Sequence, residues 1–130
     1  MRWYIDSSAI LKLIKTENES KEIEKALPKL LTTSLLARIE VIRTVNNNAP
    51  QSLAASFDVL ADISMIPLDN FVITTAENLP AFIKLRTLDS IHMASALSLK
   101  SELAGIITYD RDMVSAAKAL GFKTMSPGMK

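Results

Sequence analysis

The chain of 130 residues has no cysteine, a single histidine and a formal net charge of only +1. Without cysteine there is no disulfide framework, no thiolate zinc site and no cysteine nucleophile. With one histidine there is no histidine pair for a zinc centre. A charge near zero neither requires nor excludes a nucleic-acid partner, because a local basic patch counts there rather than the sum. No stretch approaches the roughly 20 consecutive apolar residues of a membrane span. The first residues run directly into a strand pattern, without the charged segment and apolar run of a secretory leader. We therefore expect a cytoplasmic protein with no membrane partner. Internal repeats, linkers and low-complexity segments are also missing. What is present is 48% apolar and 22% charged residues, the balance of a globular protein, at a length suited to one domain spanning residues 1–130.

The stretch Arg2 to Ile14 organises the rest. Trp3, Tyr4 and Ile5 suit a strand, and Ala9, Ile10, Leu13 and Ile14 then recur at helical spacing. Asp6 falls where the strand hands over to the helix. In open parallel α/β sheets ligands bind outside the carboxyl ends of the strands, where the following helix turns its N–H groups outward. On this stretch alone an ordinary N-cap remains the simpler account of Asp6.

Further along, Glu19 to Leu27 predicts a second helix ended by Pro28, and Leu30 to Thr33 a short strand. Ser34 can cap a third helix running to about Val45 and closed by Asn46-Asn47-Asn48. Gln51 to Ile63 predicts a further helix, and Ser64 to Leu68 a strand that Pro67 confines to a sheet edge. Asp69 to Leu79 reads as a helix and Pro80 to Leu88 as an irregular link. Asp89 stands as the N-cap of an alanine-rich helix, Ser90 to Lys100. Gly105 to Thr108 predicts a buried strand, Asp112 to Leu120 a helix stopped by Gly121, and Lys123 to Met125 a last strand before an unpacked tail, Ser126 to Lys130. Strands alternating with helices argue for an α/β fold in three layers, a parallel sheet of four or five short strands between helices.

Asp110 repeats the situation of Asp6, just past a strand and just before a helix, so both carboxylates project from one sheet edge. Asp112 lies in the same turn, as the better cap or an outer member of the group. Asp89 would join them if its helix starts at that edge; a plain N-cap is the competing account. Glu40 is the hardest to argue. On a helical wheel Leu35, Ile39 and Ile42 define the apolar stripe, and Glu40 falls off it beside Leu36 and Arg43, as a solvated surface residue would. Several clustered carboxylates repel one another unless a divalent cation or protons neutralise them. Hard oxygen donors without thiolates point to Mg²⁺ or Mn²⁺, and that chemistry points to phosphodiester hydrolysis.

Four segments carry a family resemblance: Ile5-Asp6-Ser7-Ser8-Ala9, Ala37-Arg38-Ile39-Glu40-Val41, Leu85 through Leu97 with Asp89 and His92, and Ile107-Thr108-Tyr109-Asp110-Arg111-Asp112. Together they resemble a PIN domain, most closely the stand-alone VapC-type toxins of prokaryotic toxin–antitoxin pairs. The resemblance spans essentially the whole chain, with the segment around Asp89 the most specific. It implies that Asp6, Glu40, Asp89 and Asp110 are the catalytic acids holding Mg²⁺ or Mn²⁺, with Asp112 a further metal-site acid and Ser7 and Thr108 supporting hydroxyls. It also implies metal-dependent endoribonuclease cleavage leaving a 5′-phosphate, homodimerisation, and inhibition by a cognate antitoxin.

His92 shares a helix side with Asp89, three residues earlier, and reads as a hydrogen-bonding support rather than a general base. Arg38, Arg43, Arg86 and Arg111 flank the acids; Arg86 is the first candidate for an RNA phosphate contact. Trp3 and Tyr4 read as core packing, since base stacking needs exposed rings. The apolar residues of the first two helices, including Leu11, Leu13, Ile14 and Ile23, exceed one face and line either the core or a groove for a partner. Two other readings compete with the nuclease. One is a PIN-like RNA-binding or protein-binding module without toxin activity. The other is a phosphoryl-transfer enzyme with Asp6 as nucleophile, which Ser8 disfavours because the haloacid dehalogenase-like pattern has a second Asp there.

Overall fold

Five strands and seven α-helices alternate along the chain in a computed structural model describing residues Met1–Lys130. The strands are β1 (Arg2–Ile5), β2 (Leu31–Ser34), β3 (Ser64–Ile66), β4 (Leu103–Ile107) and β5 (Thr124–Met125). The helices are α1 (Ser7–Ile14), α2 (Ser20–Ala26), α3 (Leu35–Asn48), α4 (Leu53–Ala61), α5 (Asn70–Glu77), α6 (Thr87–Ser98) and α7 (Arg111–Ala119). All strand pairs are parallel, in the order β3-β2-β1-β4-β5. The expected three-layer α/β architecture is therefore the observed one. β3, with Pro67 just beyond it, lies at an edge.

Side chains of a strand alternate between the two sheet faces, and here they feed two separate cores. Tyr4 and Ile106 join Val72 of α5, Met93 and Ala96 of α6, and Met113 and Ala117 of α7. Ile5 and Ile107 join Ala9 and Ile10 of α1, Ile23 of α2, Val41 and Val45 of α3, and Leu60 of α4. β1 and β4 sit between both layers and are apolar on both faces, as parallel strands covered twice must be. The order also has a reversal. From β1 the chain moves outward to β2 and β3, then returns to the opposite side of β1 for β4 and β5. The β1–β4 boundary is thus the topological switch point, where a crevice opens at the strands' carboxyl ends.

Several expectations need correction. The buried face of α3 is Ala37, Val41 and Val45, whereas Leu35 and Ile39 are exposed. These side chains share a core with Ala9 and Ile10 of α1, Leu60 of α4, and Ile5 and Ile107 of the sheet, so the bulkier stripe on the wheel is not the packed one. Asn46, Asn47 and Asn48 continue α3 rather than closing it, and the segment after Pro50 begins as a 3-10 turn before α4. α6 starts at Thr87, so Asp89 is not its N-cap but an acid of its first turn, where its charge meets the positive end of the helix dipole. The tail is packed. Ser126 donates to the Thr108 carbonyl (2.5 Å), Tyr109 Oη donates to the Pro127 carbonyl (2.7 Å), and Arg111 donates to the Lys130 carbonyl. Gly121 does stop α7: at φ +87 it lets its own N–H and that of Phe122 return to the Lys118 and Ala117 carbonyls.

Candidate active site

Asp6 follows Ile5 at the carboxyl end of β1, and its backbone N–H still bonds to the Ile107 carbonyl of β4 (3.1 Å). Its extended backbone makes it the N-cap of α1, with Oδ1 accepting from Ala9 N at 3.1 Å. The cap account of Asp6 is thus structurally true, and it does not exhaust the residue. Ser8 Oγ donates to the same Oδ1 at 2.6 Å, and Thr108 Oγ1 donates to Oδ2. Burial, the largest influence, pushes the Asp6 carboxyl above its usual range, although nearby His92 and these hydrogen bonds pull it down. A buried carboxylate held by two hydroxyls and a helix N-terminus is more elaborate than capping requires.

Thr108 joins the first acid to the fourth. While donating to Asp6, its Oγ1 accepts from Asp110 N at 3.1 Å. Asp110 caps α7, with Oδ1 accepting from Asp112 N at 2.8 Å and Met113 N at 3.2 Å. Asp112 itself is exposed and lines a different depression with Lys84 and Ser115. The sequence leaves open which of the two acids caps α7; in the structure it is Asp110.

Glu40 comes in from α3. It is not a freely solvated residue: Oε1 accepts from His92 Nε2 at 2.7 Å and from Ser7 Oγ at 3.3 Å. Asp89 lies on α6, with Arg86 Nε 3.9 Å from its Oδ2. Partial burial, and then repulsion from Asp110, raise the Asp89 carboxyl, against the pull of His92 and Arg86. Burial lowers His92, but its bond to Glu40 and the charges of Asp6, Glu40 and Asp89 outweigh this and leave it raised. His92 thus touches Glu40 and feels the charges of Asp6 and Asp89, while Asp89 also feels that of Asp110.

A surface cleft of about 410 Å³ is lined by two of the acids, Glu40 and Asp89, with Arg86, Thr87 and Leu88. Ser7 is bonded to Glu40 of this lining, and Thr108 to Asp6. No three of the acids stand close enough to form a ready-made coordination sphere. Each is engaged locally, with hydroxyls, the imidazole, Arg86 or its own helix. The donor set nevertheless fits a hard divalent cation, being oxygen throughout, and His92 has both ring nitrogens committed, Nδ1 to Tyr4 and Nε2 to Glu40. That commitment also removes His92 as a free general base.

Sequence reasoning missed two participants. Ser8 lies two residues after Asp6, the spacing of a hydroxyl that folds back on its neighbour, and it accepts from Tyr109 N at 3.0 Å. Tyr4 lies two residues before Asp6, hence on the same face of β1, and that periodicity was the available signal.

Comparison with known proteins identifies the family of this chain. The PIN domain family model matches residues 3–119. Ribonuclease VapC46 of Mycobacterium tuberculosis is 38% identical over 128 residues, covering 95% of this chain and 96% of its own length. Ribonuclease VapC47 of the same species is 36% identical over 133 residues, covering 96% of each. A toxin–antitoxin complex from Klebsiella pneumoniae has a chain of the same fold, with a TM-score of 0.77 at 18% identity over 98% of this chain and 99% of that one. VapC20 of Mycobacterium tuberculosis, described as a sarcin-ricin loop cleaving toxin, gives 0.75 at 14% identity over 98% and 100%. Matched from its first strand through its last helix, and more than a third identical to two VapC ribonucleases over nearly their whole length, this chain belongs to the PIN domain family and, within it, to the VapC group.

Proposed function

We propose that the protein is a divalent-metal-dependent endoribonuclease, the toxin of a toxin–antitoxin pair, with Asp6, Glu40, Asp89 and Asp110 as its catalytic acids. The observation supporting this reading is that Asp6 and Asp110 stand just past the ends of adjacent β1 and β4, joined through Thr108, with Glu40 bonded to Ser7 beside Asp6, in a chain over a third identical to VapC ribonucleases. When bound, Mg²⁺ or Mn²⁺ would activate a water and stabilise charge on the phosphate in the transition state. The chain supplies the rest. Thr108 and Ser8 orient Asp6, Ser7 and His92 orient Glu40, and the α7 N-terminus orients Asp110. Arg86, exposed on the rim of the cleft, is placed to take an RNA phosphate. Asp112, exposed and next to Asp110 in the first turn of α7, stands as the further metal-site acid.

We also propose that a cognate antitoxin blocks this cleft and that the chain forms a homodimer. Toxin–antitoxin complexes among the solved structures of this fold support the first. Exposed Leu35, Ile39, Phe71 and Leu88 offer apolar surface for either association. No helix is long and apolar enough to cross a membrane.

The test is cleavage of a panel of labelled structured RNAs by the unaltered protein and by Asp6→Asn, with Mg²⁺, with Mn²⁺ and with chelator. The expected result is cleavage by the unaltered protein alone, lost in chelator and leaving 5′-phosphate ends. Equal cleavage by both proteins would indicate a contaminant. Binding without cleavage would favour an RNA-binding module.

A further inference from the structure

Two of the most deeply buried side chains are polar and sit outside the acidic set. Tyr4 is 0% exposed and His92 1% exposed. They meet edge to face, with ring centroids 6.0 Å apart and planes at 82°. An apolar pair could fill the same space without any need for hydrogen-bond partners, and a buried hydroxyl or imidazole lacking one is costly. Here every partner is present. Ser34 N donates to Tyr4 Oη (3.3 Å), Tyr4 Oη meets His92 Nδ1 (2.6 Å), and His92 Nε2 meets Glu40 Oε1 (2.7 Å).

The ends of this series are a donor and an acceptor. It starts at a backbone N–H, which can only donate, and finishes at a carboxylate, which can only accept. With the imidazole carrying its hydrogen on Nε2, each intermediate group accepts once and donates once toward Glu40. The series leads from the β2–α3 junction, through the core beneath the sheet edge, to the rim of the cleft. Both hydrogen bonds that Glu40 receives fall on Oε1, from His92 and from Ser7, so Oε2 carries no protein donor.

We propose that Tyr4 and His92 are positioning residues for Glu40. They form a buried hydrogen-bonded strut, anchored on the Ser34 backbone, that clamps Oε1 and presents Oε2 to a cation in the cleft. This inference rests on Glu40 belonging to the metal-binding set. Outer hydrogen bonds of this kind orient a ligating carboxylate, and removing them lowers metal affinity by about 10- to 100-fold.

The test measures Mn²⁺ affinity by calorimetry on the full chain, alongside a thermal melt of each variant. Tyr4→Phe deletes one hydroxyl and His92→Leu removes the donor to Glu40. His92→Gln keeps an amide donor near the position of Nε2. The strut predicts a loss of roughly 10-fold or more for His92→Leu, partial recovery for His92→Gln and a smaller loss for Tyr4→Phe. In a Glu40→Gln background Tyr4→Phe should cost nothing further. Packing alone would lower the melting temperature of Tyr4→Phe while leaving Mn²⁺ affinity unchanged, and that result would overturn the proposal even if His92→Leu failed to fold. Additive losses in the Glu40→Gln background would overturn it too. An unaltered protein that takes up no Mn²⁺ would sink the metal site itself, whereas binding equal in all variants would sink only the strut.

Discussion

Asp89 stands in the first turn of α6 with Arg86 3.9 Å away on one side and the charge of Asp110 on the other. Desolvation and repulsion together make its ionised form unwelcome in the absence of a cation. Asp89→Asn should therefore stabilise the fold in chelator, read as a higher melting temperature, while abolishing metal-dependent cleavage. Parallel melts and RNA assays of this one variant check both halves; a lower melting temperature would mean that the first-turn charge outweighs the repulsion. A pH effect follows from the same crowding. Asp6, Asp89 and His92 all hold protons more tightly folded than unfolded. Their contribution to stability is full below the ordinary values of 3.8 for the carboxyls and 6.5 for the imidazole, and is lost as pH rises through the folded values. Melted in chelator, the protein should be more stable at pH 6 than at pH 8, since His92 loses its extra proton as pH rises above the ordinary imidazole value. Scanning calorimetry across that range would show it, and a melting temperature that rose with pH would contradict the charge arrangement described.

Among the elements, β4 and the segment after β5 depend on features of very different legibility. Gly105 pairs with Trp3 across the sheet, and a Cβ there would lie 2.5 Å from the Lys123 carbonyl and 2.6 Å from the Trp3 ring. Gly105→Ala should cost about 1–3 kcal/mol as overpacking, readable as a lower urea midpoint. The sequence predicts an unpacked tail at Ser126 to Lys130, where nothing is periodic. Its order comes instead from single long-range bonds to Thr108, Tyr109 and Arg111, which leave no pattern in sequence. Tyr109 is the hub. Its hydroxyl holds Pro127, Lys12 Nζ lies 4.7 Å from the centre of its ring, and burial with the charges of Glu19 and Glu22 pushes its pKa to about 12. Tyr109→Phe should cost about 1 kcal/mol in a denaturant melt, and deletion of residues 126–130 more than that. The strand-end acids were legible because a strand followed by a capped helix has a local signature. The packed face of α3 was not, since the sheet selected small residues over the more hydrophobic stripe. For Glu40 the deciding partners, His92 and Ser7, are 52 and 33 residues distant.

At the scale of the molecule, the site is a property of strand order. Neither β1 nor β4 alone carries it; their adjacency at the reversal brings Asp6 beside Thr108 and Asp110. Because any cation gathered there binds the folded chain and not the unfolded one, Mn²⁺ at about 100 times its dissociation constant should stabilise the fold by about 2.7 kcal/mol. A differential melt with and without Mn²⁺ would detect this, and Asp6→Asn should abolish most of it. The same adjacency has a consequence in time. Tyr4 pairs with Ile106 and Ile5 with Ile107, contacts of long sequence separation that form slowly and must wait for the later segment to be synthesised. A nascent chain that has not yet extruded β4 carries Asp6, Glu40 and Asp89 but has no strand to complete the crevice. A ribosome that stalls before that point releases a fragment without the hydrolytic site, so a cell making this protein meets its chemistry only once translation has passed β4.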